Sequence, residues 1–285
     1  KQNAATIGIA ILYLVAFASG CSEAGGTNAR KMIRNKHAPR VAKIVLEDIE
    51  RHTRGLRLAA KRLAPGFVKV QGEQQAKDMR FAFKLLRNPK LGLEAIKISP
   101  MSFMASVGKD GVVIARDAEP DRMKGINLAQ QFPVVKEALN GKEGYSLGQF
   151  ESLKKGEQPS VTVVMAAPAF YQGEVVGAVA LGIPLWRLSQ RLSRQLQSEQ
   201  AEEHGVVLWV YIFHGDDLYF HGTPQTLDKL VPDGKARRLG LSKSPGGYTG
   251  EVNQFGAWYG FGVRPLRVLG NDIGAVIFRM DPLKK

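Results

Sequence analysis

From residue 40 to 64 the apolar positions Val41, Val45, Ile49, Leu56, Ala59, Ala60 and Leu63 recur mostly at steps of three, four or seven. That spacing is one face of a helix. Arg51, Arg54, Arg57 and Arg62 stand between them. Pro39 falls near the start, where a first turn tolerates proline, and Pro65-Gly66 stops the helix. A shorter helix is predicted over about 73–86, with Ala76, Met79, Phe83 and Leu86 on its stripe. The period then changes. Residues 103–107 and 112–115 are apolar runs on either side of Gly108-Lys109-Asp110-Gly111, a strand, a tight turn and a strand. A helix is predicted over 127–139, ending at Asn140-Gly141. Strand-like runs follow at 161–171 and 175–183, joined by Gln172-Gly173-Glu174. Leu185, Leu188, Leu192 and Leu196 then restore helical spacing.

After that helix the order repeats. A strand over 206–214, the turn Gly215-Asp216-Asp217 and a return strand over 218–221 come first. A short helix at 224–230 has Thr223 as its expected cap and Pro224 at its first position. Strands at 248–255, 257–264 and 273–280 close the chain. The echo reaches individual residues. Pro168 precedes Gly177 by nine positions and Pro265 precedes Gly274 by nine; each glycine is followed by Ala-Val, and each run ends in Pro-Leu. The offset of 97 residues is about one small domain. The pattern predicts an α+β chain: a long N-terminal helix followed by two similar modules.

The first module carries a family resemblance. Its Gly-Lys-Asp-Gly turn, Gly125-Ile126-Asn127-Leu128, Pro133, the helix end Ala138-Leu139-Asn140-Gly141 and the strand Glu174-Val175-Val176-Gly177-Ala178-Val179 together resemble the Cache domain. That is the extracytoplasmic, PAS-like sensor module of bacterial chemoreceptors and sensor kinases. With the second half included, about 30–283 resembles a double Cache arrangement. The resemblance implies an antiparallel sheet flanked by helices in each module. It also implies a small-molecule ligand in the module farther from the membrane, drawn from amino acids, organic acids and other metabolites. The aromatic-Arg-Asp signature of amino-acid-binding members is not found, so that ligand class has no support here.

The N-terminus adds an address. Residues 4–20 are uncharged, with a basic residue in front and small residues at the end. This is short for a membrane span, which needs about 20 residues, and fits a signal peptide better. Ala18-Ser19-Gly20-Cys21 resembles the lipobox of bacterial lipoproteins, with Ala18 where leucine is usual. Lipidation at Cys21 is the first reading and an uncleaved N-terminal anchor helix the second. The expected organisation is a signal peptide over 1–20, a tether over 21–39 and N-terminal helices over 40–97. The first module then covers 98–188, a connecting helix 189–204 and the second module 205–285.

Charge and composition narrow the function. Residues 1–97 hold 19 Lys and Arg against 7 Asp and Glu, in a chain of net charge +14. Nucleic acid is rejected as a partner, because the signal exports the chain and, after the signal, no aromatic is interleaved with these charges before Phe67. They are either a solvated helical face or electrostatic support for an anchor on an anionic bilayer. One cysteine excludes a disulfide framework and cysteine-rich metal or redox sites.

No cofactor, metal site or catalytic arrangement is expected. Gly144-Tyr145-Ser146-Leu147-Gly148 matches Gly-x-Ser-x-Gly but lacks the strand-to-helix setting of a nucleophile elbow, and reads as a glycine-rich turn. Gly260-Phe261-Gly262 resembles a phosphate loop only in composition. His214, Asp216, Asp217 and His221 crowd a turn, and Asp117, Glu119 and Asp121 alternate without the rest of a calcium loop. The candidate ligand residues are Arg116, Asp117, Tyr145 and Met165, with the inner face of 161–167. A guanidinium at 116 would match a carboxylate. Its alternative is a surface ion pair with Asp117. Tyr145 is explained equally as a core aromatic or as a ligand contact, and Met165 is core by default.

The primary expectation is therefore a membrane-anchored, non-catalytic sensor that acts through a partner, a sensor kinase or chemoreceptor. The alternative is an interaction lipoprotein whose pockets are filled by their own side chains. Finally, the stripe Val41, Val45, Ile49 and Leu56 extends beyond the needs of one module. It is expected to run along both and to carry a weak homodimer contact, opposed by Arg51, Arg54, Arg57, Lys61 and Arg62.

Overall fold

The computed structural model describes residues 26–97, 100–150, 160–254 and 256–282. The signal segment and Cys21 lie outside the described residues. The chain divides into two compact units, Leu46–Leu188 and Ser189–Lys285 with Lys1–Val45. The fold is α+β, with one five-stranded antiparallel sheet in each unit. Among the described residues no helix is long and apolar enough to cross a membrane.

The N-terminal helix begins earlier than its periodicity suggests. Residues 26–32 are already helical, Ile33–His37 form a π-helical stretch, and α1 follows over Ala38–Leu63. The tether expected over 21–39 is thus corrected from residue 26 onward. Pro39 lies inside the helix rather than in its first turn. A proline there removes a hydrogen bond and crowds the carbonyl four residues back. The wider turn just before it, closed by Ala38 N–H to the Ile33 carbonyl, is the local adjustment such a residue calls for. The stripe Val41, Val45, Ile49 and Leu56 is buried within the chain itself, each at most 6% exposed. A dimer contact through that stripe therefore loses its basis.

In the unit Leu46–Leu188, α2 covers Gly72–Leu86 and a single turn, α3, covers Glu94–Lys97. The strands are β1 (Phe103–Gly108), β2 (Val113–Arg116), β3 (Gly144–Phe150), β4 (Ser160–Tyr171) and β5 (Glu174–Pro184), in the order β2-β1-β5-β4-β3. The helix expected over 127–139 is two: α4 (Leu128–Gln131) and α5 (Pro133–Leu139). Phe132 breaks it with φ −129° and ψ 111°. The residue before a proline is pushed out of the helical region.

The helix α6 (Leu185–Ser198) carries the chain into the other sheet. Its strands are β6 (Val207–His214), β7 (Asp217–Tyr219), β8 (Tyr248–Gln254), β9 (Ala257–Pro265) and β10 (Ile273–Met280), in the order β7-β6-β10-β9-β8. This is the first order again, strand for strand. Between β7 and β8 stand α7 (Gln225–Asp228) and α8 (Gly234–Lys243). Thr223 does not cap α7. Pro224 takes that position, and the Thr223 hydroxyl donates instead to Asp228, at 2.9 Å.

The repeated Gly-Ala-Val has a packing cause. A Cβ on Gly177 would stand 2.4 Å from the Phe67 ring and 2.7 Å from the Val107 carbonyl oxygen. One on Gly274 would stand 2.3 Å from the Phe213 ring and 2.6 Å from the Arg264 carbonyl oxygen. Each glycine lets an aromatic ring lie directly on its strand. Gly260-Phe261-Gly262 is explained similarly: the backbone of Ala29 and Arg30 covers Gly260, and Ile33 covers Gly262. These glycines are the seat of the N-terminal helix.

Candidate ligand-binding site

Residues directly opposite in an antiparallel pair share a sheet face. In the first sheet one row therefore runs Arg116, Ala105, Ala180, Ala166, Gly144, and the next runs Phe103, Gly182, Val164, Ser146. This face is covered by Met123, Leu128, Phe132, Val134, Val135 and Ala138. Phe150 packs on Phe132 at 4.7 Å and on Phe103 at 5.5 Å between ring centroids. β1, β4 and β5 supply small residues at Ala105, Ala166, Ala178 and Ala180, β1 and β3 add the rings of Phe103 and Phe150, and the α4–α5 segment supplies Phe132, Val134 and Val135. Gly148 is part of that fit, because its Cβ would meet the Phe132 ring at 2.4 Å. The Gly-x-Ser-x-Gly string is thus strand β3 rather than a turn, and its second glycine receives a phenylalanine.

The four candidate residues do not converge. Arg116 closes β2 on the helix-covered face, and its guanidinium donates to the Ser102 carbonyl at 3.2 Å. Its Nε is buried with no hydrogen-bond partner among the described residues, as is Ser146 Oγ. Asp117 is not its ion-pair partner. The Asp117 carboxylate, 2% exposed, accepts from Arg87, the C-cap of α2, at 2.5 Å and from the Met104 N–H at 3.0 Å. Tyr145 and Met165 face each other across β3 and β4 on the opposite side of the sheet. Met165 is fully buried, whereas Tyr145 is partly exposed.

The carboxylates of 117–121 are spoken for by α2 and by their own loop. Asp121 accepts the N–H groups of Arg116, Met123 and Lys124, each at 3.0 Å. Arg80 reaches Glu119 at 3.3 Å and Asp121 at 3.8 Å. Lys124 pairs with Glu73 at 2.9 Å, and that pairing holds the Glu73 carboxyl below its usual range. These acids fasten a loop to a helix. Among the described residues no group of three or more His, Cys, Asp or Glu could hold a metal ion.

The second sheet is filled differently. Tyr211, Phe213, Phe261 and Phe278 come from the strands themselves, joined by Val231, Val263 and Val276. Tyr211 is fully buried and donates its hydroxyl to Asp228 at 2.9 Å; burial pushes its phenol upward. Arg237 of α8 is 2% exposed. It lies 4.9 Å over the Phe213 ring and donates to the carbonyls of Pro232, Gly215 and Asp216. So α8 buries a guanidinium rather than an apolar stripe. Asp216, expected among solvated turn residues, pairs with Arg238.

A second buried polar group lies in the same unit. His37, 1% exposed, meets Arg279 through Nε2 at 2.9 Å. Arg279 also donates to Glu203 at 2.6 Å and to Asp281 at 2.5 Å. Burial, with Arg279 and Lys36 adding to it, lowers the His37 imidazole to about 4. The Arg279 hydrogen bond holds Glu203 below its ordinary range. Sequence reasoning missed this group because its members are 242 residues apart.

Open space lies elsewhere. A groove of about 630 Å³ runs between the β1–β2 turn and the α4–α5 segment, with Lys109, Asp110, Gln130, Lys136 and Asn140 on its walls. None of the candidate residues lines it.

No family model matches the sequence, and no curated protein matches it. Solved structures do. The ligand-binding domain of the Campylobacter jejuni chemoreceptor Tlp3 in complex with L-valine is similar with a TM-score of 0.55 at 10% identity, over 92% of this chain and 94% of that one. The same domain in complex with L-norvaline gives 0.55 at 10% identity, over 93% and 96%. A methyl-accepting chemotaxis protein X gives 0.50 at 14% identity, over 90% and 98%. The likeness is one of fold, and it extends over nine-tenths or more of each chain.

Proposed function

We propose that this chain is an extracytoplasmic, membrane-anchored sensor protein without catalytic activity. It binds a small molecule in its first module and acts through a partner, a sensor kinase or chemoreceptor. The observation that carries this reading is the tandem of two identically ordered sheets, in a chain whose fold follows chemoreceptor ligand-binding domains along nearly its whole length. The ligand contact assigned to this reading is Arg116, which sits on the helix-covered face with Nε buried and unpartnered. A guanidinium there suits a carboxylate. Asp117 fixes the end of β2 through Met104 and Arg87, while Tyr145 and Met165, on the other face, take no part. Cys21 carries a lipid anchor or, in the second reading, remains in an uncleaved N-terminal helix.

A thermal-shift screen of organic and amino acids on the purified chain tests the sensor. At least one carboxylate is expected to raise the melting temperature, and Arg116→Gln to abolish that shift. Failure of every compound overturns the reading. Radiolabelled palmitate should incorporate into the wild type and not into Cys21→Ser.

One observation favours a second reading. Both helix-covered faces are packed by the chain's own side chains, around Phe103, Phe132 and Phe150 in one unit and Tyr211, Phe261 and Phe278 in the other. An interaction lipoprotein that binds protein and no ligand has such cores. The same screen separates the two.

A further inference from the structure

The groove beside the β1–β2 turn is a built surface rather than a loose gap. Gly111 sits at φ +82°, and a Cβ there would stand 2.6 Å from the Ala129 side chain. Its carbonyl accepts the Leu128 N–H at 2.9 Å. The Asn127 side chain accepts from the Gln130 N–H at 3.0 Å and donates to the Asp110 carbonyl at 3.1 Å. Turn and helix are therefore stitched together before anything binds, which removes an ordering cost from association.

We propose that this groove is a docking surface for an extended, acidic peptide segment of a partner protein. Lys109 comes from the turn and Lys136 from α5, so the two ammonium groups are carried by different elements. Neither has an ion-pair partner among the described residues. The one carboxylate in the groove, Asp110, already accepts the Val112 N–H at 3.0 Å. Ala129, Pro133 and Leu139 contribute apolar surface, and the exposed amides of Gln130 and Asn140 can bond to the main chain of an extended segment. Acidic side chains spaced along that segment would reach the two lysines.

The other occupants fit less well. The groove is open to solvent, whereas small-molecule sites bury roughly 70–90% of their ligand. A phosphate site built on main-chain donors is excluded, because the N–H groups of Leu128, Ala129 and Gln130 are all taken. No aromatic lines the groove, as single-stranded nucleic acid would require. A second copy of this chain would bring +14 against +14. The inference goes beyond the sensor reading and stands whether or not the first module binds a ligand.

Selection of displayed dodecapeptides on the immobilised full chain tests it. Enriched peptides are expected to carry two or more Asp or Glu. Once synthesised, they should bind about tenfold more weakly to Lys109→Gln/Lys136→Gln, since each exposed ion pair contributes modestly. A control, Lys84→Gln/Lys90→Gln, removes two exposed lysines outside the groove and should leave binding unchanged. All four lysines are exposed, and matching circular dichroism confirms that both variants fold. The proposal is overturned by enrichment of no peptide, by enrichment of peptides without acidic residues, or by equal losses in the two variants. Citrate occupying the groove more tightly than any selected peptide would also overturn it, in favour of a small-anion site.

Discussion

The two units share one strand order and differ in how much of the core their strands supply. In the first sheet the strands bring Ala105, Ala166, Ala178 and Ala180 to the covered face, and the α4–α5 segment brings Phe132, Val134 and Val135 down onto them. In the second, the strands carry Tyr211, Phe213, Phe261 and Phe278, and the residues outside the strands add Phe220, Leu230, Val231 and Leu241. Where strands are small, a helix can come close and its own side chains make the core. Where strands are large, the helix stands on their rings and can spare a buried arginine, as α8 does with Arg237. Topology is duplicated, but packing is not.

The largest expected effects test whether the cores are as different as this contrast holds. Phe132→Ala removes a ring supplied from outside the sheet, and Phe278→Ala removes one supplied by it. Both are nearly or fully buried, so each should cost about 3–5 kcal/mol, read by urea denaturation. The two variants should differ in their local dynamics. Phe132 is the break between α4 and α5, so its loss should loosen the covering segment and speed amide exchange at 134–139. Phe278→Ala should leave exchange in α8 unchanged, because Arg237 holds it through three carbonyls. Equal loosening of the two covering elements would erase the difference.

A pH experiment probes the second unit alone. His37 has a folded value of about 4 against an ordinary 6.5, so the unfolded chain binds the extra proton between those limits. Stability from this group is complete above pH 6.5, falls as pH drops toward 4, and is constant below. The gap corresponds to on the order of 3 kcal/mol. Arg279, Lys36, Glu203 and Asp281 all face the imidazole, and Glu203, itself held low, adds a loss of the same sign at more acidic pH. Denaturation curves at about pH 7 and about pH 4.5 should therefore differ sharply in the wild type and much less in His37→Gln.

Smaller effects test the duplication itself. Gly177→Ala and Gly274→Ala each press a methyl group onto a ring and onto a carbonyl oxygen of the neighbouring strand. The ring can shift but the backbone cannot. Overpacking of this kind costs about 1–3 kcal/mol. Similar losses in the two variants are expected from equivalent positions, and a cost confined to one would mean that the sequence echo has no common structural cause.

These three cases also show which features the sequence exposes. Strands, their turns and the repeat were legible because alternation, glycine placement and a 97-residue echo are local patterns. The helix α8 was not, since Leu239 is exposed and Arg237 buried, reversing the usual rule. The start of the N-terminal helix was hidden by a mid-helix proline that implied a boundary. The site was least legible. Arg116 and Asp117 are neighbours in sequence, yet Asp117 turns to Arg87, thirty residues away. Tyr145 and Met165 stand opposite each other on adjacent strands, on the side of the sheet away from Arg116. Sheet face depends on register, and register is fixed by pairings that a single strand does not reveal.

The smallest expected effect concerns a single hydroxyl inside the aromatic core. Tyr211 donates to Asp228, which also accepts from Thr223. Tyr211→Phe keeps the ring contacts with Phe220 and Phe278 at 5.0 and 5.9 Å and removes only the hydroxyl. Asp228 retains Thr223, so no acceptor is stranded. The loss should be about 0.5–1.5 kcal/mol, well below that of Phe278→Ala. Burial raises the phenol above its ordinary value of 10, so the folded state favours its neutral form. Its contribution is complete below pH 10 and is lost as pH rises through the folded value. Burial raises Tyr219 and Tyr248 as well, so spectrophotometric titration should show fewer tyrosines ionising before alkaline unfolding in the wild type than after it, a difference that Tyr211→Phe reduces by one. A Tyr211 that titrates normally would mean that the second core admits water, and the contrast between the two units would have to be redrawn around that water.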